Sequence, residues 1–503
     1  MNIKQAKEEL ANTLKAYLAK DELGNYLIPA IRQRPVLLMG PPGIGKTQIM
    51  EQIAAEEGVG LVAYTITHHT RQSAVGLPFI EKRTYGGQEF SVTEYTMSEI
   101  LASVYELMER TDIKEGILFL DEINCVSETL APMMLQFLQC KTFGNQKLPE
   151  GWLIAAAGNP PEYNKSVRDF DVVTLDRVKR IDVDENFAVW KEYARRRGLH
   201  GAVISYLDIK KENFYRIETT VDGIEFATAR GWEDLSELIL AYEKLGLRVD
   251  REVVGQYIQL PRIARDFTGY LELYYKYQRT YHVEDILGGK WAATAVSELR
   301  AAPFDEKLSV LSLLVSRLSE EAGRVRAQDA LTELLHADLI AFKARLEEGA
   351  GAGAILSDLE QSRREAMARC AAAGQLDRER RALDQRELEL LGRYRQNLLD
   401  GDICDEDAMN AVRTWFAAEV DGRKSAAQAA GRCFDHAFRY LEETFGDSQE
   451  LVIFVTEITS GYDTSWFVEH FGCDAYFRHN KELLFDDSRR RIRAEIAAER
   501  AEN

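Results

Sequence analysis

The sequence predicts an α/β domain with a parallel sheet and flanking helices, followed by a helical region and a mostly α-helical C-terminal part. Three observations carry this expectation. Up to about residue 185, short β-rich runs alternate with helical stretches, the pattern of strands joined by helical crossovers. The runs at 35–39, 60–67, 116–120 and 152–157 are almost continuously apolar, as in strands covered by helices on both faces. Beyond about Trp291 the composition shifts to Ala, Arg, Glu and Leu, with apolar residues at helical spacing.

A chain of 503 residues is too long for one hydrophobic core. The expected divisions are residues 1–185, 186–292 and 293–503. In the second, aromatic-rich amphipathic segments fall at 233–245 and 263–277. In the third, Leu331, Leu335, Leu339, Phe342 and Leu346 form one apolar stripe, and the Gly-Ala run 349–354 marks a break or hinge. Leu376, Leu383 and Leu390 then recur every seven residues, which predicts a short antiparallel coiled coil or two helices of a bundle. The run LVIFVTEITSGYDTSWF at 451–467 predicts a buried strand or a core helix, with Asp463-Thr464-Ser465 read as a turn. A charged helical tail is expected at 487–500.

The formal net charge is −19. Affinity for nucleic acid comes mainly from neutralising phosphates with Lys and Arg, so the charge disfavours a nucleic-acid partner. No uncharged apolar stretch of about 18 residues occurs, which predicts no membrane span. The N-terminal MNIKQAKEELANTLKAYL reads as an amphipathic helix and not as a signal peptide. Six cysteines stand singly, without a CxxC pair, and point to a reducing, cytoplasmic setting.

Chemistry concentrates in two places. Gly40-Pro41-Pro42-Gly43-Ile44-Gly45-Lys46-Thr47 follows the apolar run VLLM and precedes the helical TQIMEQIAAE. Glycines there let backbone N–H groups curl around phosphates, and the helix N-terminus adds its dipole. Lys46 is expected on the β- and γ-phosphates of ATP, and Thr47 on Mg²⁺. The run Ile117-Leu118-Phe119-Leu120 then delivers Asp121 and Glu122 to the carboxyl edge of the sheet, where ligands sit in open parallel sheets. Asp121 is the expected Mg²⁺-shell acid, and Glu122 the group that polarises the attacking water.

Together these residues resemble the AAA+ ATPases, and within them the MoxR branch with its dynein- and midasin-related relatives. Three further segments carry the likeness. Ala155-Ala156-Ala157-Gly158-Asn159-Pro160 resembles the sensor-1 strand, which implies that Asn159 orients the hydrolytic water; its other reading is a turn former before Pro160 and Pro161. Thr174-Leu175-Asp176-Arg177-Val178-Lys179-Arg180-Ile181 is similar to the segment that carries the family's arginine finger. Val178 stands where Phe is usual, and either Arg177 or Arg180 fits the role; an ion pair with Asp176 or Asp182 is the alternative. Ala227-Thr228-Ala229-Arg230-Gly231-Trp232 resembles the start of the lid helix, implying a sensor-2 role for Arg230. Residues 71–78 fit where this branch inserts a β-hairpin. His68 and His69 are expected on a nucleotide-proximal or pore surface and not on a metal.

The resemblance spans about residues 17–290. It implies an AAA+ core at 1–185, a helical lid at 186–292, and a C-terminal adaptor region at 293–503. It further implies ATP and Mg²⁺ as cofactors and a homo-hexamer that remodels or matures a protein partner. That partner would be a separate von Willebrand A domain protein. The alternative is a nucleic-acid-directed motor of the restriction or translocase type.

Overall fold

A computed structural model describes residues 1–68, 76–143, 146–163, 170–220, 223–372 and 378–481. Of the features named above, His69, residues 71–75, Leu376 and the tail at 487–500 lie outside the described residues. The chain forms two compact units: Met1–Val189 with Gln361–Asp384, and Trp190–Glu360 with the remainder from Gln385.

The first unit is built on a five-stranded parallel sheet. In chain order among the described residues its elements begin with α1 (Ile3–Leu18), β1 (Val36–Met39), α2 (Lys46–Glu57) and β2 (Gly60–Thr65). An antiparallel hairpin, β3 (Pro78–Tyr85) and β4 (Gln88–Tyr95), precedes α3 (Glu99–Thr111) and β5 (Gly116–Asp121). Next come α4 (Ala131–Cys140), the short pair β6 (Thr142–Phe143) and β7 (Gln146–Lys147), β8 (Trp152–Gly158), α5 (Val172–Leu175) and β9 (Lys179–Asp182). The sheet order is β2-β5-β8-β1-β9, all parallel.

Successive side chains of a strand point to opposite faces, and here that alternation divides the core in two. Val36, Leu38, Ile117, Phe119, Leu153 and Ala155 face one way, onto Ala6 and Leu10 of α1 and Ile49, Met50 and Ile53 of α2. Leu37, Leu118, Leu120, Ile154 and Ala156 face the other, onto Ile100, Leu101 and Val104 of α3 and Phe137 and Leu138 of α4. Both faces being covered is why the strands read as unbroken apolar runs. Two elements differ from expectation. Lys179–Asp182 forms a fifth strand although three of its four residues are charged; it is an edge strand, and its Lys179 and Arg180 reach outward to Glu9 and Asp182. The hairpin begins where the expected insertion ends, at Pro78, and its β3 is exposed along its whole length.

The second unit is helical apart from the hairpin of β10 (Arg216–Thr220) and β11 (Gly223–Ala227). Around it lie α6 (Phe187–Arg196, whose first residues belong to the first unit), α7 (Gly201–Ile209), α8 (Ala229–Leu245), α9 (Arg251–Tyr257) and α10 (Pro261–Tyr281). Buried Tyr206, Trp232 and Phe267 meet edge to face or tilted at ring-centroid distances of 5.2–5.7 Å. After α11 (Val283–Leu287) and α12 (Ala293–Ala301) comes α13 (Phe304–Glu347), 44 residues long, carrying the expected apolar stripe. It ends before Gly349, which is left-handed at φ 89°.

Further on lie α14 (Ala352–Ala372) and α15 (Arg378–Asp400), whose parts between Gln361 and Asp384 belong to the first unit, then α16 (Asp405–Phe445), α17 (Gln449–Ser460) and α18 (Tyr462–Phe471). The 451–467 run is thus two helices and no strand. Asp463-Thr464-Ser465, expected as a turn, is instead the first turn of α18. There Thr464 Oγ1 donates to the Ile458 carbonyl at 2.7 Å and Asp463 pairs with Arg326. No helix among the described residues is long and apolar enough to cross a membrane.

Candidate functional site

Strands β5, β8 and β1 are neighbours in register, with Leu118 opposite Ile154 and Met39 opposite Gly158. Their carboxyl ends therefore place three sequence-distant loops side by side: 40–47, 121–124 and 158–160. This is the sheet edge where parallel α/β folds hold ligands.

The loop after β1 turns at Gly43 (φ 73°) and Gly45 (φ 94°), left-handed positions that a side chain would strain. Helix α2 starts directly at Lys46, so its first N–H groups and its dipole face the loop. Lys46 is 8 % exposed. Its ammonium donates to the carbonyls of Gly40 and Pro41, both at 2.8 Å, and to Asn159 Oδ1 at 2.9 Å. The charge is held by two carbonyl oxygens of the loop and by the Asn159 carboxamide, and a phosphate oxygen is a stronger acceptor for it than these neutral groups.

Thr47 Oγ1 donates to Asp121 Oδ2 at 2.9 Å, bringing a hydroxyl and a carboxylate to one point beside the loop. Glu122 adopts φ 56°, an uncommon conformation for a non-glycine residue. Its N–H donates to Asp121 Oδ1 at 2.9 Å, and Thr67 Oγ1 donates to Glu122 Oε2 at 2.8 Å. Asn124, 2 % exposed, bonds the backbone of Asn159 on both sides: Nδ2 donates to its carbonyl at 2.8 Å, and Oδ1 accepts from its N–H at 3.3 Å.

The first unit thus gathers Lys46, Thr47, Asp121, Glu122 and Asn159. Arg177 and Arg180 are bonded elsewhere on the same unit. Arg177, exposed after α5, donates to Gln139 Oε1. Arg180 pairs with Asp182 at 2.8 Å. Arg230 is exposed in the first turn of α8, in the second unit, where Thr228 caps the helix by accepting from the Gly231 N–H. Burial pushes the Asp234 carboxyl up, and the charge of Arg230 opposes that push. Sequence reading missed Thr67 and Asn124. The available signals were a hydroxyl just past the end of β2, the strand beside β5, and a carboxamide two residues after Glu122.

The donor set fits a nucleoside triphosphate with a hard divalent cation. A left-handed glycine loop, a helix start and a lysine suit phosphate, and the Thr47 hydroxyl with the Asp121 carboxylate suits Mg²⁺. Among the described residues, no group of three or more His, Cys, Asp and Glu side chains could hold a metal by itself. Mg²⁺ would therefore sit between Thr47, Asp121, water and phosphate oxygens.

No curated protein matches the chain at a significant level. Residues 36–175 match the family described as "ATPase family associated with various cellular activities (AAA)", whose members bind ATP and usually Mg²⁺. The matched segment runs from β1 through the phosphate loop and the acidic strand end to α5. This part of the chain, with its parallel sheet and phosphate loop, is an AAA ATPase domain.

Proposed function

We propose that the chain is an AAA+ ATPase of the MoxR branch that hydrolyses ATP between subunits of a cytoplasmic homo-hexamer and uses the cycle to remodel or mature a protein partner. The observation that carries the hydrolytic part is the convergence of Lys46, Thr47, Asp121, Glu122 and Asn159 at one sheet edge. Lys46 grips the terminal phosphates, exchanging neutral carbonyls for charged oxygens. Thr47 and Asp121 hold the cation, which neutralises charge developing on the transferred phosphoryl group when bound. Glu122 orients and polarises the attacking water, and the Thr67 hydroxyl sets where its carboxylate points. Asn159, at the end of β8, helps to orient that water.

Arg177 is the finger for the neighbouring subunit. It is exposed and hydrogen-bonded to a neutral amide, whereas Arg180 is ion-paired with a carboxylate. Arg230 is the residue through which the lid answers the nucleotide. The MoxR assignment rests on the resemblance together with the exposed hairpin between β2 and α3, close to where that branch carries its insertion. A separate von Willebrand A domain protein is the partner this branch implies, with the helices after Trp291 as its docking region.

The test is ATPase rate and particle mass, measured together for wild type and Glu122→Gln. A particle of about six subunits that hydrolyses ATP, with turnover reduced about 10²- to 10⁴-fold in the variant while ATP stays bound, is the expected result. A monomer without turnover overturns the ring reading.

A further inference from the structure

We infer that Asn124 is a positioning residue for hydrolysis: it fixes the backbone of Asn159 so that the Asn159 side chain faces the Lys46 ammonium. The inference rests on the proposed role of Asn159 and deepens it. Asn124 lies two residues beyond Glu122, on the loop that leaves β5, and its side chain crosses to the end of β8. A carboxamide offers a donor and an acceptor at fixed spacing. Both are used on a single residue 35 positions away, Nδ2 on the Asn159 carbonyl at 2.8 Å and Oδ1 on the Asn159 N–H at 3.3 Å.

Two further observations show that the contact is built in. A Cβ on Gly158 would stand 2.7 Å from Asn124 Oδ1, so only glycine before Asn159 leaves room for this side chain. The neighbouring Ile123 N–H donates to the carbonyl of Ala157, two residues before Asn159, at 2.9 Å, which ties the loop after β5 to the end of β8 beside this contact. With its backbone held, Asn159 turns Oδ1 onto Lys46 Nζ at 2.9 Å. The residues that grip phosphate, orient water and carry the acid are thereby coupled through one buried amide. Aspartate at position 124 would keep the shape and the acceptor, but its ionised form would lose the donor.

The experiment compares Asn124→Ala, Asn159→Ala and the double variant in the full-length protein. Turnover at saturating ATP and ATP affinity are measured separately. Asn159 is only half-buried, so water can satisfy its backbone in Asn124→Ala and the fold should survive. The expected result is turnover reduced about 10- to 100-fold with affinity within about twofold of wild type. The double variant should be no slower than Asn159→Ala, because both changes remove one function.

Wild-type turnover in Asn124→Ala, or additive losses in the double variant, overturns the inference while leaving the hydrolytic reading intact if Asn159→Ala is slow. Wild-type turnover in Asn159→Ala overturns both. If Asn124→Ala loses its circular-dichroism signature, Asn124→Asp carries the same comparison, with the same expected and overturning results.

Discussion

Thr47 Oγ1 and Asp121 Oδ2 lie 2.9 Å apart although 74 residues separate them in the chain. A helix start and the end of a neighbouring strand place a hydroxyl and a carboxylate where one cation can touch both. Removing the hydroxyl should therefore harm nucleotide binding only when the cation is present. In Thr47→Val, ATP affinity with Mg²⁺ is expected to fall about 10- to 100-fold, the value of one hydrogen bond or ligand at a charged centre. In EDTA, variant and wild type should bind alike, and titration under both conditions checks it.

Arg177 and Arg180 differ in their restraint, one on the Gln139 amide and one on the Asp182 carboxylate. Arg177→Ala should lower turnover by about 10³-fold or more while ATP binding is kept, and Arg180→Ala should cost much less. Mixing Arg177→Ala subunits with Lys46→Ala subunits should restore activity. One kind of interface then pairs an intact phosphate loop with an intact finger. Failure of the mixture to recover, with mixed assembly verified by mass, would place the arginine outside the neighbour's site.

Lys141 caps the C-terminal end of α4, and burial pushes its ammonium down to about 8. The folded pKa lies below the unfolded value, so the unfolded chain binds more protons between about pH 8 and 10.5. Stability should rise with pH across that window, and below it the cost of the buried charge is fully present. Lys141→Met should raise the melting temperature at pH 7, by up to about 3 kcal/mol of stability, and flatten the rise. Melting curves from pH 7 to 10.5 for both proteins test the sign.

Within the second unit, Glu457 of α17 accepts from Lys191 at 2.5 Å and from Arg195, both on α6, and Lys191 also pairs with Asp208. Burial pushes Lys191 down and Arg195 to about 10. Removing one carboxylate leaves buried cations under-compensated, so Glu457→Ala should destabilise this unit by about 3–5 kcal/mol in urea unfolding. For the same reason a chain cut at residue 298 should lose the α6 region's stability along with the C-terminal helices. A fold near residues 190–290 unaffected by that cut would show that the pairs contribute little.

The sequence by itself determined the elements whose signals are local. Unbroken apolar runs gave four of the five sheet strands, because strands covered on both faces need no alternation. The glycine loop and the Asp121-Glu122 pair were legible because phosphate and cation binding demand fixed residue types at fixed spacing beside a strand end. The stripe through Leu335 and Phe342 and the break at Gly349 were legible from helical period and backbone freedom.

Only the tertiary structure decided what depends on neighbours distant in the chain. Lys179–Asp182 is a strand because β1 offers it a partner edge, not because its mostly charged sequence favours one. The 451–467 run is helical because Leu451, Phe454, Val455, Ile458 and Phe467 find a buried face in the helical unit, an outcome its β-prone composition leaves open. The roles of Thr67 and Asn124 follow from strand order, which sets β2 and β8 on either side of β5. The restraint of Arg177 by Gln139 likewise exists only once α4 and α5 are in place, whereas the Arg180–Asp182 pair is local to β9. Local periodicity and residue chemistry are written along the chain; a hydrogen bond between residues 35 or 74 positions apart is set by which strands become neighbours.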